Sequence, residues 1–179
     1  MEERKGVVTA RGKPLTLLGP DLKVGDKAPD FKALSGVTLI DQEPREVSLR
    51  QDFAGKICLI SATPSLDTPV CDLQVRRLNQ EAVTFPKNLV SIINISMDLP
   101  FAAKRFCTTA GIENVEVLSD HRDASFGLAY GVLIKELRLL ARSIFVIDSN
   151  GIIRHKEIVA DTTKHPDYER ALEAVRGLL

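Results

Sequence analysis

The chain has no surplus of charge of either sign. Lysine plus arginine and aspartate plus glutamate number 24 each in 179 residues. That balance gives no electrostatic reason to expect nucleic acid or an anionic membrane as partner. No stretch approaches 18 consecutive apolar residues, so no membrane-spanning helix is encoded. The opening Met1-Glu2-Glu3-Arg4-Lys5 is charged and is not followed by the apolar core of a signal peptide, so a cytoplasmic location is the expectation. Cysteine is scarce and odd in number: Cys58, Cys71 and Cys107. None forms a C-x-x-C pair, which argues against a general dithiol exchanger and against a cysteine-rich metal site. The histidines, His121, His155 and His165, are scattered and read as surface or loop residues. Neither a metal nor another cofactor is expected. Repeats, low-complexity tracts and linkers are missing too. With 44% apolar residues the chain can fill a core, and one domain over residues 1–179 follows.

What is present reads as alternating strands and helices. Residues 1–19 suggest a β-hairpin extension, with two apolar runs around a Gly-Pro turn at Arg11-Gly12-Lys13-Pro14. Phe31 to Leu34 and Val37 to Ile40 read as short strands joined at Ser35-Gly36. Glu46 to Leu49 adds a strand end, and Leu49 to Phe53 a helical turn. Lys56 to Thr63 is a buried strand with Cys58 as a core thiol. A helix runs from Val70 to about Phe85, and Leu89 to Met97 suits a central parallel strand. Pro100 opens a helix that Gly111 closes after Ala110. Val115 to Leu118 is a strand, Ala124 to Tyr130 a short helix, and Val132 to Ile134 with Leu137 to Leu140 a turn or hairpin. Ser143 to Ile147 and Ile152 to Ile158 flank Asn150-Gly151, the strongest hairpin signal in the chain. Pro166 starts a final amphipathic helix. This order predicts an α/β fold with a central mixed sheet and helices on both faces.

One stretch carries chemistry. The strand before Thr63 breaks at Pro64, and Ser65-Leu66-Asp67-Thr68-Pro69-Val70-Cys71 follows. Thr68-Pro69 is a helix-start signal, with the hydroxyl as cap and proline in the first helical position. Cys71 then falls in the first turn, where free backbone N–H groups and the helix dipole favour negative charge on sulfur. Val70, Leu73, Val75, Leu78 and Ala82 would form the apolar face, with Arg76, Arg77 and Gln80 on the wetter side. Position alone leaves Cys71 either a reactive thiol or a small buried hydrophobe.

The motif Pro64-x-x-x-Thr68-x-x-Cys71 resembles the active-site signature of the peroxiredoxins. The longer run Pro64-Ser65-Leu66-Asp67-Thr68-Pro69-Val70-Cys71 is similar to their bacterial thiol peroxidase branch, the atypical two-cysteine peroxiredoxins. The likeness continues through Asp98-Leu99-Pro100-Phe101-Ala102, Arg105-Phe106-Cys107, Leu118-Ser119-Asp120, Tyr130-Gly131-Val132 and Ala141-Arg142-Ser143. It spans nearly the whole chain in order.

The resemblance implies a thioredoxin-like fold and a thiol-dependent peroxidase acting on hydrogen peroxide and organic hydroperoxides. Cys71 would attack peroxide and become a sulfenic acid, and Cys107 would resolve it as a Cys71–Cys107 disulfide. Thioredoxin or a similar dithiol would then reduce that bridge. Thr68, the Val70 backbone and Arg142 would bind substrate, with Pro64 shielding the sulfur. A homodimer is also implied. Read without the family, Thr68 is a simple cap, Pro64 a strand terminator, Cys107 a buried residue and Arg142 a surface arginine competing with Arg76, Arg77 and Arg105. A non-enzymatic binding module on the same fold is the rival reading.

Overall fold

Strand β5 (Ile57–Ala62) is buried along its whole length, as a strand covered on both faces must be. Its side chains alternate: Ile57 and Leu59 join one apolar cluster, whereas Cys58, Ile60 and Ala62 join another. The computed structural model describes residues 1–36 and 44–179. In it, β5 pairs in parallel with β6 (Val90–Ser96), which pairs in parallel with β7 (Glu116–Ser119). On its other side β5 meets β10 (Ser143–Ile147) antiparallel, and β10 meets β11 (Ile153–Ile158). With β3 (Lys32–Ser35) and β4 (Glu46–Ser48) the mixed sheet has the order β11-β10-β5-β6-β7-β3-β4. This is the central mixed sheet expected from the sequence.

Helices α2 (Pro69–Ala82), α3 (Pro100–Ala110) and α5 (Tyr168–Arg176) contribute to one cluster, on one face. The other face is covered by α1 (Leu49–Asp52), by α4 (Ser125–Ala129) and by a second, four-stranded sheet. That sheet joins β1 (Glu3–Ala10) and β2 (Lys13–Leu18) to β8 (Leu133–Ile134) and β9 (Leu139–Leu140). The N-terminal hairpin is therefore a working part of the second layer, with Val8 and Leu17 fully buried.

Several local expectations need correcting. The hairpin turns at Arg11-Gly12, both at positive φ, and Pro14 lies inside β2 opposite Thr9. Two positive-φ residues match the right-handed strand twist, which a Gly-Pro turn would not. The expected strand Val37 to Ile40 lies outside the described residues; among the described strands β3 pairs with β4 and β7. Helix α2 stops at Ala82, and tighter bonds from the Thr84 and Phe85 N–H groups carry the chain to Pro86. Helix α5 starts at Tyr168 because the Asp167 carboxylate accepts the Arg170 N–H at 3.1 Å. Pro166 lies outside it. Helix α3 agrees with expectation: Pro100 stands in the first turn and Gly111 closes it at φ 66°.

The apolar face of α2 is rotated from the one expected. Leu73 is 54% exposed, while Gln74 is completely buried beside Cys71, Val75, Leu78 and Ala82. Leucine outside and glutamine inside is the reverse of what burial alone favours. The residues facing Gln74 supply the reason.

Candidate active site

Beyond Ala62 the Thr63 N–H still donates to the Ile95 carbonyl at 3.0 Å, and Pro64 then ends the ladder. The loop that follows is fixed by Asp98, in the connection between β6 and α3. Its carboxylate accepts from the Ser65 hydroxyl (2.9 Å), the Leu66 N–H (2.8 Å) and the Ser96 hydroxyl (2.8 Å). The loops leaving two neighbouring parallel strands are thus stitched together at their carboxyl ends, where open α/β sheets place their sites.

Thr68 is the N-cap residue, with extended backbone and Pro69 at the first helical position, as expected. Its side chain does not cap, contrary to expectation. The hydroxyl donates back to the Ser65 carbonyl at 2.9 Å, and the Thr68 N–H goes to the same oxygen. This tight turn aims the hydroxyl proton away from the helix. Its oxygen lone pairs remain available to accept.

Cys71 is the third residue of α2 and has no exposed surface. The Asp72 N–H is the first to close a helical bond, to Thr68, so the Val70 and Cys71 N–H groups belong to the unpaired first turn. The sulfur lies 3.4 Å from Nη2 of Arg142. That arginine is only 2% exposed. Nε and Nη2 donate to the Thr162 carbonyl at 3.3 and 3.0 Å, and Nη1 donates to Gln74 Oε1 at 2.7 Å. Among the described residues no carboxylate pairs with it. A guanidinium keeps its proton in any protein setting, so a full positive charge faces the sulfur. Its hydrogen bonds to neutral oxygens satisfy its donors without cancelling that charge.

The N-terminal hairpin contributes from a distance. Thr9 donates its N–H to the Ala160 carbonyl (2.7 Å) and accepts the Thr162 N–H (2.9 Å). Those bonds hold the loop whose carbonyl holds Arg142.

Pro64, Thr68, Val70 and Arg142 line one open cleft of ≈ 320 Å³, with Ile134 and Leu137 as apolar walls. Four of the expected site residues thus meet, with Cys71 reached through Arg142. The competing arginines do not. Arg76 pairs with Asp72, Arg77 pairs with Glu81 and Glu169, and Arg105 is exposed.

Cys107 is half-buried on α3, and burial pushes its thiol above the ordinary range. It packs into the cluster that α2 and α5 share. Arg76 reaches the Ala110 carbonyl at 3.3 Å, so the two cysteine-bearing helices lie on one face and touch. All three cysteines are free, and Cys71 and Cys107 are unbridged. Cys58 is a core thiol, as expected.

Gln74, Asp98 and Thr162 were not singled out from the sequence. Gln74 had a legible signal, three residues after Cys71 on the same helix face. Asp98 stood in the run that carries the family likeness but without a role, and Thr162 left no signal, because both act through loops far away in the chain.

Residues 23–172 match the Redoxin family. A thiol peroxidase of Halalkalibacterium halodurans is 52% identical over 172 residues, which cover 96% of this chain and 98% of that protein. A thiol peroxidase of Bacillus subtilis is 51% identical with the same coverage. Among solved structures, a peroxiredoxin-like protein from Aquifex aeolicus superposes over 100% of both chains with a TM-score of 0.84 and 35% identity. A thiol peroxidase from Chromobacterium violaceum, at 22% identity, covers 95% of each chain with a TM-score of 0.80 and shares the fold.

Proposed function

This chain belongs to the Redoxin family, and we propose that it is a thiol peroxidase in which Cys71 is oxidised and Cys107 resolves the product. The observation that carries the proposal is the contact between Cys71 Sγ and a buried arginine without a carboxylate partner among the described residues. Such a cation favours the thiolate, the form that attacks. The sulfur attacks the terminal oxygen of a hydroperoxide; the S–O bond forms as the O–O bond breaks. Cys71 becomes a sulfenic acid, and the alkoxide or hydroxide leaving group takes a proton from water. Arg142 and the unpaired N–H groups of Val70 and Cys71 donate to the oxygens as charge develops on them. Thr68, its own proton committed to Ser65, accepts a hydrogen bond from the peroxide O–H and so orients the attacked oxygen. Pro64 limits water at the sulfur. Ile134 and Leu137 give the cleft an apolar wall suited to the carbon chain of an organic hydroperoxide.

Cys107 then displaces hydroxyl from the sulfenic sulfur: the S–S bond forms and water leaves. A bridge needs the two Cα atoms within about 7 Å. Cys71 is sealed within α2 against Arg142 and Cys107 is half-buried on α3, so the cycle includes unwinding of the first turn of α2 and of the helix around Cys107. Helix α3 suits that task, since only Pro100 and Ala103 of its residues are buried. A dithiol such as thioredoxin returns both cysteines to thiols and is itself oxidised to a disulfide. The same reading includes a homodimer in the cytoplasm. Exposed Leu99 and Phe101 at the start of α3 offer apolar surface of the kind an interface covers.

Peptide mass mapping before and after one equivalent of cumene hydroperoxide tests the cycle. A loss of two hydrogens mapped to a Cys71–Cys107 link is the expected result. A stable added oxygen on Cys71 would keep the peroxidase and remove Cys107 from it. An unchanged mass in fully reduced protein would replace the enzyme with a binding module.

A further inference from the structure

Beneath Arg142 the buried glutamine continues into a line of neutral side chains. Gln74 Nε2 donates to the Ser61 hydroxyl at 2.7 Å, Ser61 donates to Asn94 Oδ1 at 3.0 Å, and Asn94 Nδ2 donates to the Thr63 hydroxyl at 3.1 Å. All four side chains have no exposed surface. Strand pairing explains the meeting. Ser61 is directly opposite Asn94 in the parallel ladder of β5 and β6, and Ser61 and Thr63 share the α2 face.

The orientation of the Gln74 amide follows from one member. A guanidinium can only donate. Gln74 must therefore turn its oxygen to Arg142 and its NH₂ to Ser61. The Ser61 oxygen then accepts, and its proton has to go elsewhere. Asn94 takes it on its oxygen, which leaves the Asn94 NH₂ for Thr63. Reversing the Gln74 amide would set donor against donor at the arginine, and reversing Asn94 would leave the buried Ser61 hydroxyl without this acceptor.

We infer that Ser61 and Asn94 are positioning residues for the peroxidatic site: they lock the Gln74 amide so that it holds the Arg142 guanidinium on the Cys71 sulfur. The choice of neutral groups matters. A carboxylate at Gln74 would grip the arginine more strongly but would cancel part of the charge that the sulfur needs. A hydroxyl and an amide hold it in place and leave the charge intact. Without the relay, Gln74 can rotate or draw water inward, and the guanidinium loses one of its three anchors. This inference rests on the peroxidase reading for its consequence, though not for its geometry.

The test compares Ser61→Val with Ser61→Thr, which add similar bulk and differ in keeping the hydroxyl. Two quantities are read in reduced protein: the rate of oxidation by hydroperoxide and the ultraviolet thiolate absorbance at neutral pH. Burial keeps the thiols of Cys58 and Cys107 protonated there, so that absorbance reports Cys71. Ser61→Val and Asn94→Leu should lose roughly tenfold in rate and much of the thiolate signal, while Ser61→Thr retains both. Ser61→Ala, which adds no bulk, serves if the valine variant melts early. Equal behaviour of Ser61→Val and Ser61→Thr, or a thiolate signal that none of the variants moves, would overturn the inference. If the parent protein consumed no peroxide while the thiolate signal followed the expected pattern, the relay would stand and the peroxidase reading would fall.

Discussion

Strand β5 has a cysteine near each end, and the two ends look alike by the usual criteria. Cys58 is 1% exposed and Cys71, just beyond the other end, 0%. Clefts of ≈ 290 and ≈ 320 Å³ open at the two places. A cation is near both, Lys56 at one and Arg142 at the other. What differs is the group the sulfur touches. Cys58 donates its S–H to the Lys56 carbonyl at 3.8 Å, an acceptor that rewards the protonated thiol. Burial pushes that thiol up to about 12. Cys71 meets a donor, at the start of a helix. Burial and a nearby cleft therefore do not separate the two cysteines; the polarity of the partner does, and it is on that difference that the proposal for Cys71 rests.

The comparison breaks most directly by exchanging which cysteine is missing. Cys71→Ser should reduce peroxide consumption to background in a coupled dithiol assay, and Cys58→Ser should leave it nearly unchanged. Equal losses would mean that the two ends do not differ as described. A smaller effect is expected at the arginine. Arg142→Leu should slow oxidation of the reduced protein by about 10²–10³-fold, the scale of losing one preorganised donor. Arg142→Lys, which keeps the charge but not the fork to Gln74 and Thr162, should fall between the parent and the leucine variant. A lysine variant as slow as the leucine one would assign the effect to the fork and not to the charge.

The smallest effect lies in stability at the Cys58 end. Cys58 ordinarily titrates at 9.0, and its folded value is raised to about 12. The folded state thus holds this proton more tightly than the unfolded chain does. Its contribution to stability is intact below pH 9 and is lost as pH rises through about 12. Denaturant unfolding should show the parent losing stability across that window more steeply than Cys58→Ala, by up to about 1.4 kcal/mol per pH unit. Identical slopes would show that Cys58 is no better protonated in the fold than outside it.

Much of this architecture was legible locally. Asn150-Gly151 marked the β10–β11 hairpin, and Gly151 sits at φ 79° there. Pro100 and Gly111 bracketed α3, while Thr68 and Pro69 placed Cys71 in the first turn of α2. Each of these signals acts over a few residues through backbone geometry, so sequence order is enough to read it. The face of α2 was misread for the opposite reason. Apolar periodicity counts Leu73 as core, but the surface awaiting the helix at that level is polar: Ser61, Asn94 and Arg142. A helix turns its face to suit what it packs against, and that partner is set by strand register.

The sequence by itself determined the strand and helix order, the buried strand β5 and a thiol at a helix start, because these follow from local propensity and capping. Family likeness aside, only the tertiary structure decided which arginine touches that thiol. Arg142 stands 71 positions away from Cys71 along the chain, next to a strand that would read equally well with its arginine in solvent. Pairing of β10 with β5 brings it to the Cys71 end of β5, Thr162 and Gln74 satisfy its donors, and Arg76 and Arg77 are taken up by surface carboxylates. Charge acts through distance in space, and distance in space is fixed only once the strands have paired.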